Sequence, residues 1–151
     1  MTITRLSIDD APEVLGAVLA LLRELGQEAE DLGQLDVDRT MDAWRRLGER
    51  VHVLAAQDPD GSIVGVLTLC EGFAIYANGL FGAINEMYVA PSSRSQGVGK
   101  RLIDEAKSLA RSLGWSRLDV TAPESARWER TRAFYRREGF TFAGPKLKYV
   151  F

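Results

Sequence analysis

One segment near the middle of the chain constrains the fold more than any other. An apolar, β-type run extends from Ala83 to Val89 and is broken by Pro91, and a loop then leads into a helical pattern from about Gly99 to Leu113. A second β-type run follows from Ser116 to Thr121. A strand, a helix and a further strand in this order predict a crossover between parallel strands, which places the chain in the α/β class.

The flanking sequence supplies the other elements of a central mixed β-sheet flanked by helices. Before the crossover, the sequence predicts a strand over Ile3–Ile8 and a helix that begins at the N-cap signature Asp10–Glu13 and ends at Gly26. A second helix over Asp38–Gly48 and a two-stranded hairpin over Val51–Gln57 and Ser62–Cys70 follow. After it come a helix and two final strands, over Ser125–Glu138, Phe140–Ala143 and Leu147–Phe151. Residues 27–36 are interpreted as a loop. The predicted order is therefore β-α-α-β-β-β-α-β-α-β-β.

Length and composition indicate one domain that spans residues 1–151. A chain of 151 residues with 46% hydrophobic content can bury one substantial core but has no surplus for a second. The first ten residues lack the apolar stretch of a signal peptide, and no later run reaches the length of a membrane span. We therefore expect a cytoplasmic protein that does not bind a membrane.

The single cysteine and the single histidine do not form a metal or hydrolase site in the sequence pattern. Cys70 ends an apolar run and has no second cysteine to pair with, so a buried hydrophobic role is the favoured interpretation. His52 lies between two valines in a β-type run, which favours a structural role. No zinc ligand cluster or Ser-His-Asp triad is expected around it, and we predict no metal.

The charge is unevenly distributed along the chain. Residues 1–91 hold 6 Lys and Arg against 15 Asp and Glu, a net −9, whereas residues 92–151 hold 13 against 6, a net +7. A basic C-terminal part suits a polyanionic ligand and an acidic N-terminal part suits a cationic one, although ordinary solvated charge gives the same pattern. The low isoelectric point, about 5.5, argues against a nucleic-acid partner.

The loop between the first crossover strand and its helix has the features of an anion site. A helix N-terminus presents unpaired backbone N–H groups and the positive end of the helix dipole. Gly97 and Gly99 lack the Cβ that would block a pyrophosphate, and Arg94 and Lys100 add positive charge. A short Gly-x-Gly before a helix is also compatible with a structural turn.

The sequence around this loop resembles a known family motif. The segment from Ile84 to Ile103 resembles motif A of the GNAT superfamily of N-acetyltransferases, with the R-x-x-G-x-G core complete in Arg94, Gly97 and Gly99. A second resemblance follows in Ala133–Phe140. The resemblance implies a single GNAT-like domain, and acetyl-CoA as the co-substrate.

The resemblance also assigns cofactor-binding residues. It implies that main-chain groups of Met87, Tyr88 and Val89 pair with pantetheine. It implies that the pyrophosphate is held by the loop and the start of the helix, namely Arg94, Ser95, Gln96, Gly97, Val98, Gly99 and Lys100. Trp128 stands where many relatives carry an Asn that contacts the cofactor, so Trp128 either packs on pantetheine or anchors its helix.

Two side chains are candidates for catalysis. The amine must lose a proton before it attacks a thioester, because a Lys-like amine has a pKa near ~10.4. Glu86 lies where several relatives carry a carboxylate that accepts this proton, although it could equally bind a cationic substrate or face solvent. Tyr135 occupies the place of the superfamily's general-acid tyrosine, with packing beside Phe134 as the structural alternative.

The expected function is transfer of an acetyl group from acetyl-CoA to a primary amine by direct attack in a ternary complex. Acidic residues of the regions that usually set specificity favour a cationic acceptor, a small molecule or a side chain; they are Glu28, Glu30, Asp31, Asp36, Asp38 and Glu71. The alternative is a module that binds acetyl-CoA as a sensor or interaction platform without turnover. Edge strands near the C-terminus are compatible with a homodimer.

Overall fold

In a computed structural model of the chain, residues 1–25 and 36–151 are described, apart from 123, 145, 148, 150 and 151. The chain divides into two compact units, Met1–Asp119 and Val120–Phe151. The predicted loop over 27–36 lies outside the described residues except for its last position, and so does the predicted helix end at Gly26. Among the described residues, no helix is long and apolar enough to cross a membrane.

The first unit contains most of a five-stranded sheet in the order β1-β2-β3-β4-β5. The strands are β1 (Thr2–Leu6), β2 (Val51–Gln57), β3 (Ile63–Ala74), β4 (Gly79–Val89) and β5 (Leu118–Val120). Strands β1 to β4 pair antiparallel in sequence order. Ser116 N–H donates to the Leu80 carbonyl, and Gly82 N–H donates to the Arg117 carbonyl, each over 3.0 Å. These bonds advance in the same direction along both chains, so β5 lies parallel to β4 and the sheet is mixed, as predicted.

Helices pack on both faces of this sheet. On one face lies α1 (Ala11–Leu25), with α2 (Val37–Leu47) contributing to the same core; the other face carries α3 (Val98–Ser112). On the α1 face, Val14 packs with Val53 and Val66. On the α3 face, Leu102 is fully buried. Gly65 belongs to this second face, because a Cβ there would lie 3.0 Å from Val98 and 3.1 Å from Leu102.

The strands and helices of the first unit lie where the sequence predicts them, but the hairpin of β3 and β4 is longer than predicted. The predicted strands Ser62–Cys70 and Ala83–Val89 extend toward each other, to Ala74 and back to Gly79. The intervening Ile75–Ala77 forms a short 3₁₀ turn. The Gly-rich segment between the predicted strands is therefore the end of a two-stranded ribbon.

The second unit contains the helix α4 (Glu129–Arg137), preceded by a 3₁₀ turn at Ala126–Trp128. The predicted strand Phe140–Ala143 is wrong, because these residues form no strand. The Phe140 N–H donates to the Tyr135 carbonyl over 3.0 Å and so closes the helix end, and the Phe142 side chain is 83% exposed. A strand needs a ladder partner for its backbone groups, and no strand of the described residues pairs with residues 140–144. Of the predicted strand Leu147–Phe151, residues 148, 150 and 151 lie outside the described residues.

Candidate active site

The loop before α3 has the backbone geometry of an anion cradle. Gly97 is the N-cap residue, adopts φ +82°, and offers no side chain to cap the helix. The first intrahelical bond runs from Arg101 N–H to the Gly97 carbonyl over 3.0 Å. In an α-helix the amides of the first turn point toward this end, which is the orientation that binds an anion.

Charged and polar side chains of the same loop have defined partners. The Arg94 Nε–H donates to the Val89 carbonyl over 2.9 Å, and its guanidinium lies 6.0 Å from the centre of the Tyr88 ring. Gln96 donates its amide to the Ser92 carbonyl over 2.7 Å. Lys100 pairs with Asp104 over 2.7 Å at an exposed position. Arg94 therefore ties the loop to the end of β4, where the predicted pantetheine contacts lie.

A β-bulge in β4 sets the direction of Glu86. The register pairs Leu69 with Ile84 but Thr68 with Glu86, so Asn85 is an extra residue on β4. Ile84 belongs to the α3 face, together with Leu69. The extra residue turns Glu86 to the α1 face, where its carboxylate accepts a hydrogen bond from the Thr68 hydroxyl.

The hydrogen-bond pattern between β3 and β4 decides which main-chain groups of β4 point away from β3. The Ala90 N–H donates to the Val64 carbonyl over 2.9 Å, which makes these two residues a hydrogen-bonded pair. Main-chain groups alternate along an antiparallel strand, so those of Tyr88 also point to β3. Those of Met87 and Val89 point to the opposite edge. Of the three predicted pantetheine contacts, Met87 and Val89 thus have outward main-chain groups.

Tyr135 lies in the second unit, on α4. It is buried, with its ring in edge contact with Phe134 at 5.3 Å and with Phe140 at 5.5 Å between ring centres. Burial raises the pKa of the phenol to about 12. The hydroxyl therefore remains protonated at neutral pH and can donate a hydrogen bond.

Trp128 ends the 3₁₀ turn before α4 and is half-buried. The Arg127 guanidinium lies 5.5 Å from the centre of its ring. Arg132 and Arg136 both pair with Glu129, so two of the arginines on this helix already neutralise a carboxylate. The cofactor role of Trp128 stays a prediction.

Two of the six acidic residues that favoured a cationic acceptor have structural roles. Asp36 caps α2 by accepting the Arg39 N–H over 2.9 Å. Glu71 accepts the Trp115 indole N–H over 2.9 Å. Three others, Glu28, Glu30 and Asp31, lie outside the described residues. Asp38 is exposed on α2. Glu86, the candidate base, has a position on the α1 face that its pairing with Thr68 defines.

His52 has the structural role that the sequence predicted. It is 3% exposed, its Nδ1 accepts a hydrogen bond from the Arg5 guanidinium over 2.5 Å, and its ring meets Trp115 edge-on at 5.3 Å. Burial, and secondarily the charge of Arg5, lowers the pKa of His52. The neutral ring is thus the stable form in the folded protein.

Sequence reasoning missed Thr68. Its hydroxyl makes two hydrogen bonds with Glu86, and it is a buried polar residue, 8% exposed. A single hydroxyl in the apolar run from Val64 to Leu69 was a signal, because a buried hydroxyl needs a partner. Asn85 next to Glu86 was a second signal, since two adjacent polar residues interrupt the alternation of a strand.

Comparison with known proteins agrees with this fold. Residues 48–142 match a family model described as an acetyltransferase (GNAT) domain. A curated protein of Azospirillum brasilense named IAA acetyltransferase is 31% identical over 130 residues, which cover 85% of this chain and 80% of the relative.

Solved structures give the same architecture. The ribosomal-protein-alanine N-acetyltransferase of Brucella melitensis biovar Abortus is 22% identical with a TM-score of 0.73, and the alignment covers 100% of both chains. An aminoglycoside acetyltransferase from an uncultured soil metagenomic sample is also 22% identical, with a TM-score of 0.74 over 99% of this chain and 97% of that one.

These matches and the fold define the class of protein, an acetyltransferase. The family model spans more than half of the chain, and the chain belongs to the GNAT acetyltransferase family. Membership implies acetyl-CoA as the co-substrate.

Proposed function

We propose that this enzyme transfers the acetyl group of acetyl-CoA to a cationic primary amine by direct attack in a ternary complex. One observation carries the proposal: Glu86 is held by the bulge directly beside the outward main-chain edge that begins at Met87. A carboxylate and a strand edge that suits the pantetheine arm thus lie next to each other on the same strand.

The residues of the first unit fit acetyl-CoA. The uncapped N-terminus of α3 suits the pyrophosphate, because its first-turn amides and the helix dipole favour an anion. The outward main-chain groups of Met87 and Val89 suit the amides of pantetheine. The Arg94 side chain, now bonded to the Val89 carbonyl, supplies positive charge between the two. When bound, acetyl-CoA supplies the thioester carbonyl that the amine attacks.

Glu86 would prepare the acceptor. A cationic amine is attracted by the carboxylate, and it becomes a nucleophile only after it loses a proton. Glu86 accepts that proton directly or through water. A main-chain N–H of Met87 or Val89 would stabilise the negative charge that develops on the thioester oxygen.

Tyr135 would assist the departure of the thiolate. Its phenol stays protonated in its buried setting, so it keeps a hydrogen to donate throughout the useful pH range.

The acidic N-terminal part of the chain, with a net −9 over residues 1–91, supports a cationic acceptor.

The first experiment is a calorimetric titration of the purified protein with acetyl-CoA, with NADH as the control ligand. We expect saturable binding of acetyl-CoA alone. Gly97→Asp should weaken it by more than about tenfold, through backbone strain of ~1–2 kcal/mol at a positive φ and through repulsion of the pyrophosphate.

Gly61→Asp is the matched control for that variant. Gly61 has a similar φ of +87° but lies in the turn between β2 and β3, so its change should leave the acetyl-CoA affinity unaltered. Equal affinity of Gly97→Asp and the wild-type protein would remove the loop from the cofactor site.

The second experiment measures thiol release from acetyl-CoA with a panel of acceptors. The panel contains spermidine, kanamycin, a peptide with an N-terminal alanine, and IAA, which appears in the name of the Azospirillum brasilense relative. We expect release with an amine and a fall of roughly 10²-fold in kcat for Glu86→Gln. Binding without release for every acceptor would favour the sensor alternative.

A further inference from the structure

The hydroxyl of Thr68 holds Glu86 at two points. It accepts a hydrogen bond from the Glu86 main-chain N–H over 3.1 Å, and it donates its own hydrogen to Oε2 of the Glu86 carboxylate. One hydroxyl can serve both bonds, because it carries one donor hydrogen and two acceptor lone pairs. Thr68 is 8% exposed, so water has little access to replace these bonds.

The two bonds lie at the bulge itself. Thr68 is the residue on β3 at which the pairing with β4 changes register. At this point the Thr68 side chain, on the neighbouring strand, accepts the N–H of Glu86. The hydroxyl therefore fixes both the backbone and the carboxylate of the same residue.

We propose that Thr68 is a positioning residue that aims the Glu86 carboxylate at the acceptor amine. The inference rests on the proposed function and deepens it. With Oε2 bonded to Thr68, the rotation of the carboxylate is restricted, and Oε1 is the oxygen assigned to the amine. A general base acts efficiently only when it is held within hydrogen-bond reach of the proton that it accepts.

The test compares Thr68→Val with Thr68→Ser. Valine keeps the branched shape and removes the hydroxyl, whereas serine keeps the hydroxyl. With the best amine of the acceptor panel, we expect Thr68→Val to lower kcat by about tenfold or more, because a hydrogen bond to a charged group is lost. We expect Thr68→Ser to retain kcat within about threefold, and both variants to bind acetyl-CoA like the wild-type protein.

A double-mutant cycle separates positioning from a structural role. In a Glu86→Gln background, Thr68→Val should lower kcat no further, since the group that it positions is already absent. The inference is overturned if Thr68→Val keeps wild-type kcat, if serine fails to restore kcat, or if the two substitutions act independently.

Failure of the proposed function has a different signature. If the wild-type protein releases no thiol with any amine, the proposed function and the inference both fall. If Glu86→Gln lowers kcat and Thr68→Val does not, the inference alone is overturned. Urea unfolding of each variant identifies any loss that arises from reduced stability.

Discussion

At the scale of the residue, burial decides what Tyr135 can contribute. A phenol whose pKa is about 12 is a much weaker acid than a thiol, whose ordinary pKa is about 8.5. The hydroxyl therefore keeps its proton at neutral pH, as the proposed role of Tyr135 as a hydrogen-bond donor requires.

Tyr135→Phe tests this role, because it keeps the ring that packs on Phe134 and removes the hydroxyl. We expect kcat to fall by roughly 10- to 100-fold, with the acetyl-CoA affinity unchanged in calorimetry. Tyr149→Phe is the control at an 82% exposed position. An unchanged kcat in Tyr135→Phe would remove Tyr135 from the mechanism.

His52 gives a prediction about stability and pH. Its pKa is lowered in the folded protein, so the unfolded chain binds the proton more tightly. The contribution of neutral His52 to stability is complete above the unfolded value of about 6.5, and it is lost as the pH falls through the lowered folded pKa.

Urea unfolding at pH 7.5 and pH 5 measures this effect. We expect His52→Phe to show a smaller loss of unfolding free energy on acidification than the wild-type protein, since phenylalanine has no proton to gain. An identical loss in both proteins would assign the acid sensitivity to other groups.

The sequence predicted some residues of the candidate site and missed others. Gly97 was identified because a helix N-terminus after a strand has a recognisable pattern, and its positive φ agrees with that role. The partnership of Thr68 with Glu86 could not be predicted, because it depends on a register that joins residues 18 positions apart. Pairing of this kind depends on the whole sheet rather than on local propensity.

At the scale of the element, α3 approaches the sheet closely because β3 has a glycine beneath it. A Cβ at position 65 would lie 3.0 Å from Val98, 3.1 Å from Leu102 and 3.2 Å from the Tyr88 carbonyl. The contact is at the first turn of α3, which is also the proposed pyrophosphate site. The packing of α3 on the sheet and the proposed binding of pyrophosphate therefore both depend on the close approach of α3 to β3.

Gly65→Ala should reduce the unfolding free energy by about 1–3 kcal/mol, because the added methyl group overpacks this contact. Gly16→Ala is a matched control in α1, where a Cβ meets nothing within 4 Å. It should instead stabilise the protein by about 0.5–1 kcal/mol through the higher helix propensity of alanine. Urea unfolding measures both changes; a Gly65→Ala variant as stable as Gly16→Ala would contradict the close packing.

Most helices and strands could be predicted from periodicity. The strand predicted at Phe140–Ala143 is absent for a clear reason. These residues have β-type composition, but a strand exists only where another strand pairs with it. Local sequence reports the preference of Phe140 for extended structure, and it does not report that its N–H closes the end of α4. The extension of β3 to Ala74 is the opposite case, where pairing with β4 prolonged a strand beyond its apolar run.

At the scale of the whole molecule, the uneven charge predicts how the enzyme responds to salt. Residues 92–151 carry a net +7, and acetyl-CoA is a polyanion. We expect its dissociation constant to rise about 3- to 10-fold between 0.05 and 0.5 M NaCl, because salt screens exposed charges. Calorimetry with S-acetylpantetheine, which has no phosphates, is the control and should show little dependence. Equal salt dependence of both ligands would contradict an electrostatic contribution.

Asn85 has a consequence for how this chain tolerates change in length. In an uninterrupted strand, residues two apart share a face, so Glu86 would point with Ile84 into the core beneath α3, beside Leu69. A buried carboxylate without a partner would oppose folding. Deletion of Asn85 would therefore remove the bulge and still leave each residue from Glu86 to Val89 on its present face, because Glu86 would then follow Ile84 in regular alternation. A further single-residue insertion at this point, if it paired as a regular strand residue, would instead exchange inside for outside at all four positions, although it removes no proposed active-site residue.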